Sequence, residues 1–322
     1  IQEDYSLGFV RSTPAGGVPL YGDKATFKKD IIVNYSGIQG DGQLEYFTAT
    51  ANSEQFTFFP DSARGVTNSF TNTSISTGTE IPEANATEVD LTYLPLADKL
   101  SAEVMREPIN MFSGQAVAKE GTIDLTPKGM TGRGIVEFSG AELESDFIRY
   151  NYQTFDADTS DFRLLALSEA NMAFKTNNVS AHIDFENRVG EFKSNDEETT
   201  VEFPVHQYIC YMDEFKWFMD KNDISLETSR EMASDFVIDT DLDMSRSNFI
   251  SINEDQDSLN FMSPKAIYDL DTYTITADQI PWIRVADAKI TPDSGRVVIR
   301  RRAQMDELED ATILANYITK YH

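Results

Sequence analysis

The sequence has little basic charge and no long apolar run. It carries 27 Lys and Arg against 54 Asp and Glu, which gives a formal net charge of −27 at pH 7. Neutralising the phosphates of a nucleic acid, or docking to an anionic membrane, requires clustered Lys and Arg. The composition therefore argues against nucleic acid and against an anionic lipid surface as partners. No apolar run approaches the roughly 20 residues that a membrane helix needs.

Cysteine and histidine are also scarce. Cys210 is the only cysteine, so an intrachain disulfide and a Cys-rich zinc or iron–sulfur site are excluded. We interpret Cys210 as a small apolar residue of a buried strand. A thiol enzyme would need a nearby histidine, and His206 lies four residues away, but in a segment that we expect to be extended. The three histidines lack the close spacing of a zinc site.

Alternation of apolar and polar residues dominates the chain. Within residues 273–277, Tyr, Ile and Ala alternate with Thr, and residues 44–46 and 136–138 follow the same rule. Period two predicts strands with one buried face. Turn signals such as Pro60-Asp61-Ser62 separate these runs. The sequence therefore predicts an all-β chain with at most one or two short helices.

A few segments are less regular. Residues 96–106 are predicted to form one short helix ended by Pro108, and residues 306–318 fit a helix or a strand. Residues 207–220 fit a helical face too, but their Tyr, Ile, Trp and Phe content favours two strands. Residues 64–87 are rich in Thr, Ser and Asn, which is typical of a long surface insertion between strands.

The chain matches itself when it is shifted by 92 residues. Six identities within residues 37–54 compare with about one expected by chance, which indicates a repeat. We expect Gly40 and Gly132 to occupy equivalent turns, since glycine adopts conformations that are closed to other residues. A phosphate-binding loop would need a following helix and a Lys with Ser or Thr, and neither is present. The identical pairs are Gly37/Gly129, Gly40/Gly132, Gly42/Gly134, Glu45/Glu137, Ala49/Ala141 and Ser53/Ser145.

A weaker match relates residues 181–186 to 266–271, and in both copies an acidic turn and a second strand follow. Units of this kind cannot bury their own apolar faces, so they stack into a solenoid, a folded-over sheet or a series of jelly-roll-like units. We therefore predict an elongated, repeat-built body. Its divisions are a first repeat unit at 1–110, which includes the insertion, a second at 111–200, and a C-terminal part at 201–322.

Two resemblances accompany these repeats. Residues 266–277 follow the pattern A-x-Y-D-x-x-x-x-x-I-x-A, continued by Ile283, Val285, Ala286 and Ala288. In this respect residues 259–299 resemble the OstA-like periplasmic fold of lipopolysaccharide-transport proteins, in which short strands stack into a folded-over sheet with an apolar interior. The Gly40/Gly132 repeat and residues 155–162 and 285–288 make the whole chain resemble large, poorly characterised β-rich envelope proteins of the Bacteroidota.

The resemblance implies an extracytoplasmic location, in the periplasm, the outer membrane or at the cell surface. Exported Bacteroidota proteins are often O-glycosylated at Asp-Ser/Thr-apolar tripeptides, and Ser62 and Ser258 stand in tripeptides of this form. The chain begins at Ile1 without a signal peptide and ends abruptly at His322. We therefore expect it to be a fragment or processed piece of a longer protein.

Acidic clusters are the candidates for a metal site. Aspartates at 239, 241 and 243 have the spacing of the first ligands of a calcium loop, but Met244 and Ile250 stand where an EF-hand needs Gly and Glu. We therefore interpret this stretch as a solvated acidic loop. A surface calcium site within 239–243 or 253–257 stays open.

Other candidates for chemistry are the aspartates at 156, 158 and 161, because a glycosidase uses paired carboxylates. With 54 acids such clusters arise easily, and no Gly-x-Ser-x-Gly motif is present. The basic run at 300–302 is interpreted as an exposed strand that pairs with the acids at 306–310 and discourages edge pairing. Contact with an anionic lipid or glycan is the alternative.

The sequence thus favours a non-enzymatic scaffold segment of a large envelope protein, with no catalytic residues and no cofactor. Its expected partners are neighbouring segments of the same long chain or other envelope components. The alternatives are a carrier that holds lipid or glycan in an apolar groove, and a β-solenoid enzyme that acts on polysaccharides. A scaffold should bury both Trp217 and Trp282, whereas a glycan-binding protein would expose one. Trp282 follows Pro281, which favours a sheet edge, so Trp282 is the candidate ligand platform.

Overall fold

The computed structural model confirms the all-β prediction. About 62% of the chain forms strands, and α-helices are absent from the part that the structure describes. Those described residues contain short 3-10 turns at Phe112–Gly114, Glu254–Gln256 and Arg301–Ala303. The described residues are 9–166, 172–196, 199–228 and 247–315.

The chain divides into two compact units. The first comprises residues 1–139 and 143–157, and the second comprises residues 140–142 and 158–322. The predicted boundaries at 110/111 and 200/201 do not coincide with this division.

Thirteen described strands lie entirely in the first unit, and two further strands, β14 and β15, have residues in both units. They are β1 (Phe9–Ser12), β2 (Val18–Leu20), β3 (Ala25–Asn34), β4 (Gly37–Tyr46), β5 (Ala49–Phe58), β6 (Ala63–Val66), β7 (Ser69–Asn72), β8 (Ala84–Ala86), β9 (Val89–Leu94), β10 (Lys99–Val104), β11 (Ile109–Met111), β12 (Ala116–Thr126), β13 (Gly129–Phe138), β14 (Ala141–Tyr150) and β15 (Thr154–Leu165).

Eight strands of the first unit form a closed ring, and two long strands make the closure possible. One edge of β5 pairs with β7 through residues 49–52 and with β6 through residues 57–58. From β7 the ring continues through β8 to β11, and from β6 it continues through β9 to β10. Both arms end on β12, where β11 and β10 pair with different halves of one edge. A long strand can pair with two short neighbours because each of them occupies only part of its edge.

Aromatic side chains fill the interior of the first unit. Phe27 lies 6.0 Å from Phe56 and 5.1 Å from Phe58, measured between ring centroids, and Tyr46 lies 4.9 Å from Tyr93. Phe27, Phe56 and Tyr93 are fully buried. Burying a side chain of this size contributes roughly 1.5–3 kcal/mol, so these rings are a main source of stability.

The second unit contains two sheets that diverge from one long strand, β16. Its N-terminal half pairs with β18 through Lys175–Thr176, and its C-terminal half pairs with β17 through residues 179–184. One sheet continues from β17 through β20, β21, β24 and β25 to β28. The other continues from β18 through β19, β22, β23, β26 and β27 to β29.

Most strands of the second unit alternate more buried and less buried residues, as β24 does with Ala266 and Tyr268 inside and Ile267 outside. They are β16 (Met172–Asp184), β17 (Val189–Ser194), β18 (Thr200–Phe203), β19 (Tyr208–Tyr211), β20 (Glu214–Phe218), β21 (Asp223–Glu227), β22 (Phe249–Ser251), β23 (Asn260–Phe261), β24 (Lys265–Asp269), β25 (Thr274–Asp278), β26 (Ile283–Val285), β27 (Ala288–Thr291), β28 (Val297–Ile299) and β29 (Thr312–Ala315).

Two sequence predictions about local structure are wrong. The helix expected at 96–106 is the strand β10, because pairing with β9 and β12 buries Leu100 and Ala102 on one side. The segment 64–87 is not an irregular insertion, since it holds most of β6 and all of β7 and β8. Its Thr and Ser residues alternate with buried residues such as Phe70, and tertiary pairing decides the outcome.

Two other segments resolve as strands. Residues 207–220 contain β19 and β20, which confirms the preference for strands there. Cys210 lies fully buried in β19, as expected. The ambiguous segment 306–318 contains β29, and its last residues, 316–318, lie outside the described part of the chain.

The two segments related by the shift of 92 carry the same strands. Every boundary of β4 and β5 falls 92 residues before the corresponding boundary of β13 and β14. The register also coincides, because Gly40 pairs with Ile31 and Gly132 pairs with Ile123. Below, residues 25–58 are called the first copy and residues 117–150 the second copy.

The glycines of the two copies are equivalent, but they do not form turns as expected. Gly40 and Gly132 lie inside strands, where a Cβ would come within 2.5 Å of the Phe27 ring and 2.7 Å of the Tyr150 ring. Gly42 and Gly134 have positive φ, and a Cβ on either would lie about 2 Å from a backbone carbonyl oxygen. These positions require glycine because backbone or an aromatic ring occupies the space of a side chain.

Candidate functional site

A concave surface lies where the edge of β5 passes from β7 to β6. Residues 53–56 have neither strand as a partner there, and a cleft of ≈ 580 Å³ opens beside them. The side chain of Ser53 links the two sides of this opening. Its Oγ donates to the carbonyl of Val66 over 2.6 Å and accepts from the N–H of Gln55 over 3.1 Å. The lining residues are Ser53, Glu54, Gln55, Thr57, Phe59, Arg64, Gly65, Val66, Thr67, Asn68 and Asp90.

The cleft combines an aromatic ring with charged side chains. Phe59 is 45% exposed, and the guanidinium carbon of Arg64 lies 6.0 Å from its ring centroid. Glu54 and Asp90 supply carboxylates on the same lining. Neither histidine nor cysteine lines the cleft.

The sequence predictions missed this cleft. Phe59 and Arg64 flank the turn at Pro60-Asp61-Ser62, and nothing in the period-two pattern distinguishes an edge that changes partners from one that does not. The available signal was an aromatic residue beside a turn with an arginine five residues later. That signal is too common to single out a site.

Ser62, one of the two predicted glycosylation positions, lies in the turn below the cleft. Its side chain is 2% exposed and donates to Asp61 Oδ1 over 3.1 Å. The hydroxyl of Tyr21 donates to the carbonyls of Phe59 and Ser62 over 2.9 and 2.6 Å, and burial raises the pKa of that hydroxyl. Modification of Ser62 would therefore require the turn to open.

Ser258, the other predicted glycosylation position, is exposed. It follows the 3-10 turn at 254–256, and its φ of 57° places it in the left-handed region. The carbonyl of Ser258 accepts from the side chain of Asn260 over 2.8 Å, which leaves the serine side chain on the surface. Ser258 is thus the more accessible of the two predicted positions.

The two tryptophans differ in burial. Trp217 lies in β20 and is 2% exposed, which confirms its predicted burial. Trp282 stands just before β26 and is of intermediate exposure, so it is less buried than Trp217 but is not an exposed side chain. Pro281 ends the preceding loop and cannot donate a ladder hydrogen bond, which keeps Trp282 out of the sheet.

The three aspartates of the predicted carboxylate cluster have different surroundings. Asp156 accepts from the side chain of Asn151 over 3.2 Å, and Asp161 accepts from the N–H of Asn178 over 3.3 Å. Asp158 is exposed on the opposite face of β15 from the buried Phe155 and Ala157. Two of the three aspartates thus have structural hydrogen-bond partners.

Metal binding receives no support from the described ranges, which hold no group of three or more His, Cys, Asp or Glu side chains placed to bind an ion. In the segment 253–257, the Asn253 side chain accepts from the N–H of Asp255 over 2.8 Å and caps a 3-10 turn. The acidic stretch 239–243 lies outside the described residues.

The basic run at 300–302 forms a 3-10 turn after β28 instead of a strand. Arg300 donates from Nε and Nη2 to Asp306 over 2.5 and 2.8 Å, as the predicted local pairing required. This hydrogen bond lowers the pKa of the Asp306 carboxyl. The guanidinium of Arg301 lies 4.0 Å from the ring centroid of Tyr273, so two of the three arginines have partners within the unit.

His206 is fully buried near this turn. Its Nε2 lies 2.9 Å from the carbonyl of Tyr273, and its ring packs edge-on against Tyr268. Burial lowers the pKa of His206 to about 4, and the charge of Arg301 adds to the effect. The ring is therefore neutral at pH 7 and serves as a core residue.

No protein family, curated protein or solved structure matches the chain. Among the described residues there is no helix of the length and apolarity that crossing a membrane would require.

Proposed function

We propose that the chain is a non-enzymatic scaffold segment of a large extracytoplasmic protein of the cell envelope. The observation that carries the proposal is the filling of both interiors by side chains. In the first unit Phe27, Phe56 and Tyr93 are fully buried, and in the second unit Phe192 and Phe215 stack at 4.4 Å between ring centroids. Rigid, close-packed sheets are what a scaffold needs, because they resist deformation.

The filled interior weighs against the carrier alternative. A protein that carries lipid or glycan in a folded sheet needs a pocket large enough to bury most of the ligand. Inward positions such as Leu226, Tyr268 and Ile275 are instead buried against their own neighbours. The cleft beside β5 has a mixed polar lining and lies outside these cores.

We propose two further properties together with the scaffold function: the second unit is a folded-over sheet, and the protein is located in the cell envelope. The divergence of two sheets from β16 supports a folded-over sheet over a solenoid, since the paired sheets share one aromatic core through contacts such as Phe203–Tyr268. The location depends on the resemblance to envelope proteins and on the tripeptides at Ser62 and Ser258. In this setting the partners are neighbouring segments of a longer chain or other envelope components.

The test is extraction of the purified protein with organic solvent, followed by mass spectrometry for lipid and glycan. We expect no stoichiometric ligand. A lipid or glycan found near one equivalent per chain would overturn the scaffold in favour of the carrier. A parallel assay on a panel of polysaccharides tests the enzyme alternative. Asp158→Ala is the test variant and Asp293→Ala is a surface control. Turnover that is lost in Asp158→Ala but kept in Asp293→Ala would also overturn the proposal.

A further inference from the structure

No strand among the described residues pairs with the outer edge of β1, whereas the corresponding edge in the second copy is paired. Phe9 of β1 pairs with Val33, and Leu100 of β10 pairs with Leu125, which is the residue 92 positions after Val33. Thus β1 lies against β3 as β10 lies against β12. The other edge of β10 pairs with β9 along its whole length, whereas β1 has no second strand among the described residues.

The apolar row that begins at this edge is exposed in one copy and buried in the other. Phe9, Val33 and Ile38 are neighbours across three strands and are 83%, 43% and 47% exposed. Their counterparts are 2%, 2% and 1% exposed, and these counterparts are Leu100, Leu125 and Met130. Contiguous exposed apolar side chains of this kind mark interaction sites, unlike apolar residues that are scattered singly.

Polypeptide covers the buried row of the second copy. The strand β9 supplies the edge, with Val89, Leu91 and Tyr93 all fully buried. The connection between β7 and β8 closes the end of the row, since the methyl of Thr79 reaches 4.0 Å from the Cβ position of Gly129 and Glu80 accepts from the N–H of Tyr152 over 3.4 Å. The cover is therefore a strand with alternating apolar residues.

The backbone of β1 is placed to receive such a strand. Thr13 donates its N–H to the carbonyl of Lys29, so by the alternation of an antiparallel ladder Phe9 and Arg11 also point their backbone groups toward β3. Val10 and Ser12 then direct their N–H and C=O groups outward. An added antiparallel strand would pair with these groups, and its alternate side chains would meet the exposed row.

Charge identifies the kind of strand. Arg11 is exposed and makes no ion pair among the described residues. Its counterpart in the second copy is Ala102, which pairs with the apolar Leu91 of the covering strand, so the first copy differs there by an exposed cation. The net charge of −27 opposes close approach of a second copy of this chain. The favoured occupant is thus a separate polypeptide with an acidic residue near Arg11.

We propose that the edge of β1 accepts an antiparallel strand from a separate polypeptide, which has apolar residues at alternate positions and an acidic residue beside Arg11. The inference rests on the proposed scaffold function, because that function is the reason to expect a protein as the partner. It specifies that partner as an extended protein segment that continues the sheet of the first unit.

The probe is a fluorescent peptide with the sequence of residues 88–95, which contains the strand that covers the corresponding edge of the second copy. Fluorescence anisotropy should show saturable binding at micromolar to submillimolar protein, and a scrambled peptide should not bind. Val10→Pro removes an outward N–H and should weaken binding at least tenfold, whereas Val10→Thr keeps that N–H and should stay within threefold of the wild type. Arg11→Glu should weaken binding at least fivefold at low salt.

Absence of binding up to millimolar protein, or binding that neither Val10→Pro nor Arg11→Glu weakens, would overturn the inference. Self-association of the free protein that Val10→Pro abolishes would also overturn it, because the occupant would then be a second copy. Either result leaves the scaffold proposal standing if extraction yields no ligand and the polysaccharide panel shows no turnover, so the two failures can be told apart.

Discussion

The first and second copies share strand boundaries, register and the positions of their special glycines, yet they differ in what covers them. Ile38 and Met130 occupy the same register position, and the first is 47% exposed while the second is 1% exposed. Local sequence is similar in the two copies, so the difference comes from the strands and connections that pack on each. The same supersecondary unit can therefore serve as an open surface or as a core, depending on its neighbours.

The largest effect on stability is expected when glycine is replaced at matched positions of the two copies. Gly42→Ala and Gly134→Ala each place a Cβ about 2 Å from a carbonyl oxygen at positive φ. We expect each to lower the free energy of unfolding by on the order of 4 kcal/mol, because backbone strain and overpacking each cost roughly 1–3 kcal/mol. Urea denaturation followed by circular dichroism measures the loss.

Gly16→Ala is the control, since nothing lies within 4 Å of its Cβ position and its φ is not positive. It should change the unfolding free energy by less than about 0.5 kcal/mol. A loss at Gly134 with tolerance at Gly42, or the reverse, would break the equivalence of the two copies.

The second test concerns the difference in burial. Met130→Ala should cost about 3 kcal/mol, because a buried side chain is removed and a cavity remains. Ile38→Ala, at the same register position, should cost less than about 1 kcal/mol, since its side chain is half in water already. Equal losses measured by urea denaturation would mean that the row of the first copy is covered in solution.

The third test uses the pH dependence of stability, which should arise from His206 in the second unit and not from the two copies. The pKa of His206 is about 4 in the folded state against 6.5 as the ordinary value. Above pH 6.5 the ring is neutral in both states and contributes no pH dependence. As the pH falls below 6.5 the unfolded state binds a proton that the folded state refuses, so stability is lost, by roughly 2.5 kcal/mol at pH 4.5.

His206→Gln should remove this part of the pH dependence in thermal or urea unfolding between pH 7 and 4.5. Residues 1–157 contain no histidine, so the difference between Ile38→Ala and Met130→Ala should be the same at pH 7 and pH 5. A wild-type slope that persists in His206→Gln would mean that carboxylates cause it and that burial of the ring has little effect.

The smallest expected effect is at the two ion pairs that the equivalent residues Glu45 and Glu137 make with different lysines. Glu45 lies 2.5 Å from Lys28 Nζ, and Glu137, the equivalent residue, lies 3.5 Å from Lys119 Nζ. All four side chains are a third to a half exposed, so Glu45→Gln and Glu137→Gln should each cost less than about 1 kcal/mol. The losses should shrink in 1 M salt, and a loss that salt leaves unchanged would indicate a packing role instead.

Much of the local structure follows from the sequence, for a physical reason. Successive side chains of a strand point to opposite faces, so alternation along residues 44–46 or 273–277 identifies a strand and its buried side without any knowledge of the partner strand. The matched glycines revealed two similar units because a repeated backbone requirement leaves the same residue at the same spacing. The aromatic content of 207–220 likewise favoured strands over a helix, which the structure bears out.

The cleft beside β5 and the exposed edge of β1 could not be derived in this way. Both depend on which strands meet, as when β5 gives one edge to β6 and β7 together, and pairing between residues distant in sequence leaves no local pattern. The expected helix at 96–106 failed for the same reason, since β9 and β12 lie on either side of that segment. The sequence by itself determined that this chain is acidic and all-β, because composition and period two are local properties. Only the tertiary structure decided which of two equivalent apolar rows is buried, because burial depends on the strands and connections that pack on each row.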